Sequence, residues 1–294
     1  MRAAAILGIG TSPDDLHAFH TEAVSFALGV PEHASGLDAI LIFGGDGTIH
    51  RHLSDLVRLR LPVLVVPRGS GNDFARSLEL RSLAQAVSAW KHFVAGGNNV
   101  RAVDLGVITK LGQSQPHYFS CVAGVGLDTA TARIANQLPR WLRANGGYAL
   151  SLPVALASFT PPQVELRVDG QPHSTVPRVL AAFANTPWYG GGMRIAPKAD
   201  MSDGLLDACV IGAMSKAKLL RLFPSVYGGN HLKFSEVEYF QGERFQLAAQ
   251  PAFDVYADGE FVCQTPVEIG VVQRALTVIV PNIRSSASAP KGAS

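Results

Sequence analysis

The sequence predicts an α/β domain followed by a larger, antiparallel β-rich domain, and three observations carry that expectation. In the first hundred or so residues, short runs that are apolar throughout alternate with segments of helical period, as parallel strands covered by helices on both faces require. From Val103 onward the runs become short and alternating and are separated by DG, GGG and PP turn signals. The length, 294 residues, accommodates two domains with their own cores. The change in texture places the boundary near residue 105: an α/β domain over 1–105 and a β-rich domain over 106–280, with the end, about 281–294, returning to the first domain.

AAAILGIG reads as the first strand, and SPDDLHAFH, opened by a Ser or Asp cap, as a short helix. AVSFALGV, DAILIFGG and LPVLVVP are further strands, with the helical period of TIHRHLSDLVRL between the last two. SLAQAVSAWKHFVAGG is an amphipathic helix stopped by a glycine pair. VELRVDG, RVLAAFAN, LLDACVIG, FDVYADGEFV and ALTVIVP are the strands of the second domain, interrupted by helical segments over 128–157 and 215–229. The tail SSASAPKGAS is small and polar.

Composition excludes several classes. With 47% hydrophobic and 16% charged residues the chain is not disordered, and a net charge of +2 gives no electrostatic case for nucleic acid. Cys121, Cys209 and Cys263 are scattered, odd in number and without CxxC spacing, so reduced thiols in a cytosolic protein are expected. The apolar run after Arg2 is too short for a secretory signal. Ala149–Phe159 is about half a bilayer span and contains a proline. Membrane contact, if any, is expected to be peripheral.

Two glycine-bearing turns carry the chemistry. GGDGT, Gly44 to Thr48, ends an apolar strand, and PRGSGNDFAR, residues 67–76, ends the next. In parallel sheets, ligands bind beyond the carboxyl ends of the strands. Glycines let backbone N–H groups approach phosphate closely at a helix start, and Asp46 can hold Mg²⁺ or polarise a hydroxyl. A sharp turn with an Asp cap is the alternative account of either loop alone, although a cap needs one Asp and not the three glycines of GGDGT; two such loops on neighbouring strand ends favour a phosphate cleft. Gly8-Ile9-Gly10 does not complete a dinucleotide fingerprint, because Pro13 stands where the third glycine belongs. Walker A, GxSxG and HExxH motifs are absent, and His50 and His52 point apart on a helix.

GGDGT followed by PRGSGNDFAR resembles the catalytic domain shared by diacylglycerol, sphingosine and ceramide kinases, above all the soluble bacterial lipid kinases. The resemblance runs on through VDLGVI (103–108), FSCVAGVGLD (119–128), ANTPWYGGGMRIAPKADMSDGLLDACVIG (184–212) and YADGE (256–260), in order over nearly the whole chain. It implies a Rossmann-like, NAD-kinase-like α/β domain joined to a C-terminal β-sandwich. It further implies ATP- and Mg²⁺-dependent phosphorylation of a lipid hydroxyl, diacylglycerol first among acceptors.

By the same resemblance Gly44, Gly45, Asp46, Gly47 and Thr48 line the nucleotide phosphates, with Asp46 near the catalytic Mg²⁺. Ser70, Gly71, Asn72 and Asp73 touch nucleotide, and Asp104 helps organise the site. Glu260 is the general base for the lipid hydroxyl. Asp203, with main-chain carbonyls of Asp200 and Leu205, holds a structural Mg²⁺. The chain departs from the family pattern at its first loop, LGIGTSPDD instead of an Asn-Pro-x-Ser-Gly-like turn, between Val30 and Asp38, and at His50, where Asn is common.

Between Asp128 and Glu165 there is no acidic residue while Arg133, Arg140, Trp141 and Arg143 cluster; Lys216, Lys218, Arg221 and Lys233 interleave with leucines and Phe223 further on. Such stretches suit an anionic membrane surface, and equally suit solvated helices. The reading is thus a cytoplasmic, peripherally membrane-associated lipid kinase that does not bind nucleic acid, with homodimerisation left open. Another GGDGT kinase, acting on a sphingoid lipid or NAD, and a non-catalytic nucleotide or lipid sensor are the alternatives.

Overall fold

The computed structural model describes residues 1–112, 115–138 and 147–281. In the first part β1 (Arg2–Leu7), β2 (Ser25–Leu28), β3 (Ala39–Gly44) and β4 (Val63–Pro67) form a parallel sheet in the order β2-β1-β3-β4. All six residues of β3 are buried, as the unbroken AILIF run requires in a sheet covered on both faces. The helices are α1 (Asp46–Leu59), the short α2 (Asp73–Ser77) and α3 (Leu83–Val94), with a 3₁₀ turn over Pro13–Phe19 where a short helix is expected. α1 buries Ile49, Leu53, Leu56 and Leu59 at the three- and four-residue spacing of one face, each burial worth about 1.5–3 kcal/mol.

The second part contains β5 (Val100–Lys110), β6 (His117–Phe119), β7 (Val122–Gly126), α4 (Leu127–Gln137), α5 (Gly147–Ser158), β8 (Gln163–Val168) and β9 (Gln171–Ala184). There follow β10 (Leu206–Gly212), α6 (Lys216–Tyr227), β11 (Val237–Gly242), β12 (Arg244–Gln250), β13 (Asp254–Ala257), β14 (Glu260–Gln264) and β15 (Val267–Ile279). The pairing is antiparallel throughout this part, save one contact of β15 with β4. β9 turns a corner: its first half pairs β8, and its second half lies between β7 and β10. Phe119, Phe183 and Phe245 fill the core between the two layers.

β5 and β15 join the two parts. β15 pairs β5 along its length, pairs β12 at its first end and meets β4 in parallel register at Val278↔Val63, so the first sheet continues into the second. β5 runs unbroken across residue 105, so the change of texture in the sequence falls inside a strand rather than in a linker. Asp104 clasps this junction. Its Oδ1 accepts from the Arg274 amide (2.7 Å), at the bulge that interrupts β15, and its Oδ2 from the Gly204 amide (2.8 Å). The expected helix over 128–157 contains α4 and α5, and the one over 215–229 contains α6. The expectation for Arg140, Trp141 and Arg143, and that for the tail from 282 onward, lie outside the described residues.

Candidate active site

The two glycine loops press backbone to backbone. A Cβ on Gly45 would stand 2.8 Å from the Gly69 Cα, and one on Gly69 only 2.5 Å from the Gly45 Cα. Beneath them Thr48 packs so closely that a Cβ on Gly44 would lie 2.5 Å from its side chain. These glycines therefore permit the close approach of β3, β4 and the start of α1, in addition to leaving the surface free of side chains. Ser70 is exposed on the second loop.

Asp46 opens α1 and reaches across to α2, where Oδ2 accepts from the Asp73 amide and Oδ1 from the Phe74 amide, each at 3.1 Å. Burial, and then the charge of Asp73, push its carboxyl up to about 6, against the pull of those two N–H donors. Asp73 is buried. It accepts from the Gly191 amide (2.7 Å) and pairs with Arg76 (2.7 Å), while burial raises its pKa. Asn72, in left-handed conformation, bonds the Gly69 amide (2.8 Å) and the Gly69 carbonyl (2.6 Å) through its side chain. The side chains of Asn72 and Asp73 thus tie loops together rather than turning outward to a nucleotide. Arg76 and Arg194 lie over the Trp188 ring at 5.4 and 5.0 Å.

The third component comes from far along the chain. β13 and β14 form a hairpin through Asp258-Gly259, both at positive φ as a two-residue turn demands. The turn delivers Glu260 to the first loop: a Cβ on Gly47 would lie 3.5 Å from its Oε1. Glu260, Gly47, His50, Arg51, His117 and Tyr118 are among the residues lining a cleft of about 330 Å³.

Asp258 belongs to a DG pair, which the sequence offers only as a turn signal. Its side chain is instead fully buried, accepting from the amides of Ser120 (2.8 Å), Cys121 (2.8 Å) and Val122 (3.3 Å), from the Ser120 hydroxyl (3.0 Å) and from His50 Nδ1 (3.1 Å). Burial works to raise its pKa, but the His50 bond and charge and the backbone donors outweigh it and hold the carboxyl below its ordinary value. His50 Nε2 in turn faces His117 Nε2 at 2.9 Å. No spacing signals this group: His50, His117 and Asp258 meet only through tertiary packing.

Asp104 lies in the junction, both carboxylate oxygens occupied by amides, so it braces the site from behind; its carbonyl also accepts from Asn185 (2.9 Å). Asp200 and Asp203 lie in a separate turn. Asp200 accepts from the Ser202 amide (3.0 Å), and Asp203 from the Leu205 amide (3.0 Å) and Gln241 (3.2 Å). Among the described residues, no three His, Cys, Asp or Glu side chains gather as a metal cluster. However, the buried Oδ1 of Asp207 beside them has no partner. Burial raises the Asp207 carboxyl and the charge of Asp203 adds to it, against hydrogen bonds from Tyr239 and Gln241, so a cation here would satisfy the donor set.

Residues 13–108 match the family model of the diacylglycerol kinase catalytic domain, and residues 121–280 that of the YegS C-terminal NAD kinase beta sandwich-like domain. A diacylglycerol kinase of Mycobacterium tuberculosis is 36% identical over 248 residues, spanning 84% of this chain and 78% of the relative. This chain belongs to the diacylglycerol kinase catalytic-domain family.

A Bacillus subtilis diacylglycerol kinase is 28% identical over 250 residues, 83% of this chain and 78% of its own length. The fold of this kinase-family chain matches a putative diacylglycerol kinase from Bacillus anthracis, with TM-score 0.73 at 21% identity, covering 96% of this chain and 98% of that one. It also matches an NAD kinase from Archaeoglobus fulgidus solved in complex with ATP, with TM-score 0.57 at 16% identity, covering 96% and 94%. The α/β domain and β-rich domain read from the sequence are the architecture of these kinases. By membership the chain is a phosphotransferase of the lipid kinase type. Among its described residues no helix is long and apolar enough to cross a membrane.

Proposed function

We propose that this kinase transfers the γ-phosphoryl group of ATP to the hydroxyl of a membrane lipid, with diacylglycerol the first acceptor and phosphatidic acid the product. The observation that supports it most is the approach of Glu260 to Gly47, which sets a carboxylate from the β-rich part against the glycine loops. Phosphoryl transfer asks mainly for positioning and charge stabilisation. The paired loops offer amides and open space to the phosphates, and the acceptor hydroxyl meets Glu260, one of the groups in the cleft able to take its proton. Asp46, with Asp73 raising the local negative charge, is the residue that would hold Mg²⁺; bound there, the ion would neutralise phosphate charge. A structural Mg²⁺ would sit at Asp203 with the Asp200 and Leu205 carbonyls.

An apolar cavity supports the lipid acceptor. Leu127, Val179, Leu180, Met193, Leu219 and Leu222 are among the side chains around it, between the sheet and helices α4 and α6. Only about 40 Å³ is open at its centre, so an acyl chain would enter by parting α6 from the sheet. Val154 on α5 and Leu220 and Tyr227 on α6 are exposed apolar residues suited to a bilayer surface. Lys218 is paired with Glu236, and Lys216 bonds the Ala157 carbonyl, so Arg221 is the more available of the α6 cations in this arrangement. We place the enzyme at the cytoplasmic face of the membrane.

The test is a panel of acceptors, diacylglycerol, sphingosine and NAD, incubated with the protein, Mg²⁺ and labelled ATP. Label in phosphatidic acid is expected. Label in NAD alone, or nucleotide binding without turnover of any acceptor, would refute the reading.

A further inference from the structure

Three turns meet where β1, β3 and β4 end, with β3 lying between the other two strands. The first turn packs on the second: a Cβ on Gly8 would stand 2.6 Å from the Phe43 carbonyl oxygen and 2.7 Å from the Thr48 hydroxyl. The second and third touch at Gly45 and Gly69. One link spans the first and third directly. Arg68, just after β4, donates through Nη2 to Asp15 Oδ1, and among the described residues no other hydrogen bond joins residues 8–20 to residues 67–72.

Both ends of this link are held independently of it. Asp15 Oδ2 accepts from the Ser12 amide (2.9 Å), and the Pro13–Phe19 turn that carries it is anchored by buried Leu16 and Phe19. The Phe19 ring meets Phe43 edge-on with centroids 5.2 Å apart, and its carbonyl accepts from Trp90 Nε1 (3.0 Å). Arg68 starts from fixed backbone, its amide donating to the Gly44 carbonyl (3.0 Å). The Arg68 and Asp15 side chains are only 32% and 19% exposed. A pair with prearranged, partly shielded ends lies toward the strong end of the surface range.

We propose that Asp15 and Arg68 are positioning residues: their ion pair is a clasp that sets the tilt of the turn after β4 and thereby the affinity for nucleotide. The inference rests on the phosphate-binding role given to the glycine loops above. Gly69, Ser70 and Gly71 carry almost no side chain with which to hold a shape, and Ser70 is exposed. The Asn72 side chain closes this stretch on itself through the Gly69 amide and carbonyl. The clasp supplies what that closure lacks, a fixed orientation against the β1 turn on its other side. Glycines flanking Ser70 would otherwise let the turn swing, and the cost of ordering it would fall on nucleotide binding.

Calorimetry of ATP binding with Mg²⁺ and no acceptor tests the clasp, and Asp15→Asn is the decisive variant. Removing a negative charge near the phosphate site would by Coulomb attraction alone tighten ATP binding. The clasp requires the opposite sign, a weakening of about fivefold. Arg68→Gln should weaken binding by a similar factor, and the double variant no further than either single one. Arg68→Lys should recover most of the affinity. In turnover the KM for ATP should rise by the same factor with kcat unchanged. If Asp15→Asn melts early, Asp15→Ser removes the same charge with a smaller side chain and gives the same reading. Unchanged or tighter binding in the folded Asp15 variant, with Arg68→Gln weakened alone, would mean that Arg68 grips phosphate itself, and overturns the inference. A wild-type protein that binds no ATP overturns the phosphate-loop reading and this one with it.

Discussion

Asp46 caps the helix that begins at Asp73: its two oxygens accept separately from the amides of Asp73 and Phe74. The carboxylate expected to meet metal therefore also holds the second loop in place. Asp46→Asn puts an N–H₂ where an oxygen faces a donor, leaving one amide without an acceptor. We expect about 1–2 kcal/mol of lost stability in urea unfolding together with at least a 100-fold loss of rate. A variant of native stability and full rate would show that neither role is real.

Asp258 should govern acid stability. Its folded pKa is depressed, so its stabilising contribution is complete above the ordinary carboxylate range and is lost as pH falls through the lower folded value. Wild type and Asp258→Asn should differ by about 3 kcal/mol at pH 7, and the gap should begin to close only as pH falls below the ordinary carboxylate range. Chemical denaturation at pH 3, 5 and 7 checks this, and a gap independent of pH would contradict it.

Gly69→Ala tests the pressed loops. The new methyl would meet the Gly45 Cα at 2.5 Å, a contact relieved only by moving backbone. A stability cost of about 1–3 kcal/mol is expected, with ATP binding weakened at least tenfold by calorimetry. Unchanged affinity would mean that the loops do not jointly form the phosphate site.

Asp104→Ala leaves the buried amide of Gly204 and the part-buried amide of Arg274 without their acceptor. A loss of about 2–5 kcal/mol follows from two such groups. The cleft residues are untouched, so any folded fraction should retain the KM for ATP, which separates bracing from direct chemistry.

Much of the fold was legible because its signals are local. The ILIF and LVV runs declare buried parallel strands, and TIHRHLSDLVRL carries its apolar face in its own spacing. GGDGT and GSGND were legible as a pair, since both end neighbouring strands. Their side chains were less so: Asn72 and Asp73 are typical ligand-facing types, yet they bond Gly69 and Gly191. The inward turn of Asp258 and the meeting of His50 with His117 depend on contacts 208 and 67 residues apart, which no periodicity encodes. His50 was visible as a departure from the family pattern and as one of two histidines on the α1 segment, and the structure supplies its partners, Asp258 and His117.

The ladder between β5 and β15 has a mechanical consequence. Ten register pairs bind the two strands on which the α/β and β-rich parts meet, and β15 is tied to β12 and β4 besides. Jaw-like rocking of one part against the other would have to break main-chain bonds along that seam. That seam holds the two parts in one fixed relation, whereas α4 and α6 ride on the sheet without main-chain bonds to it.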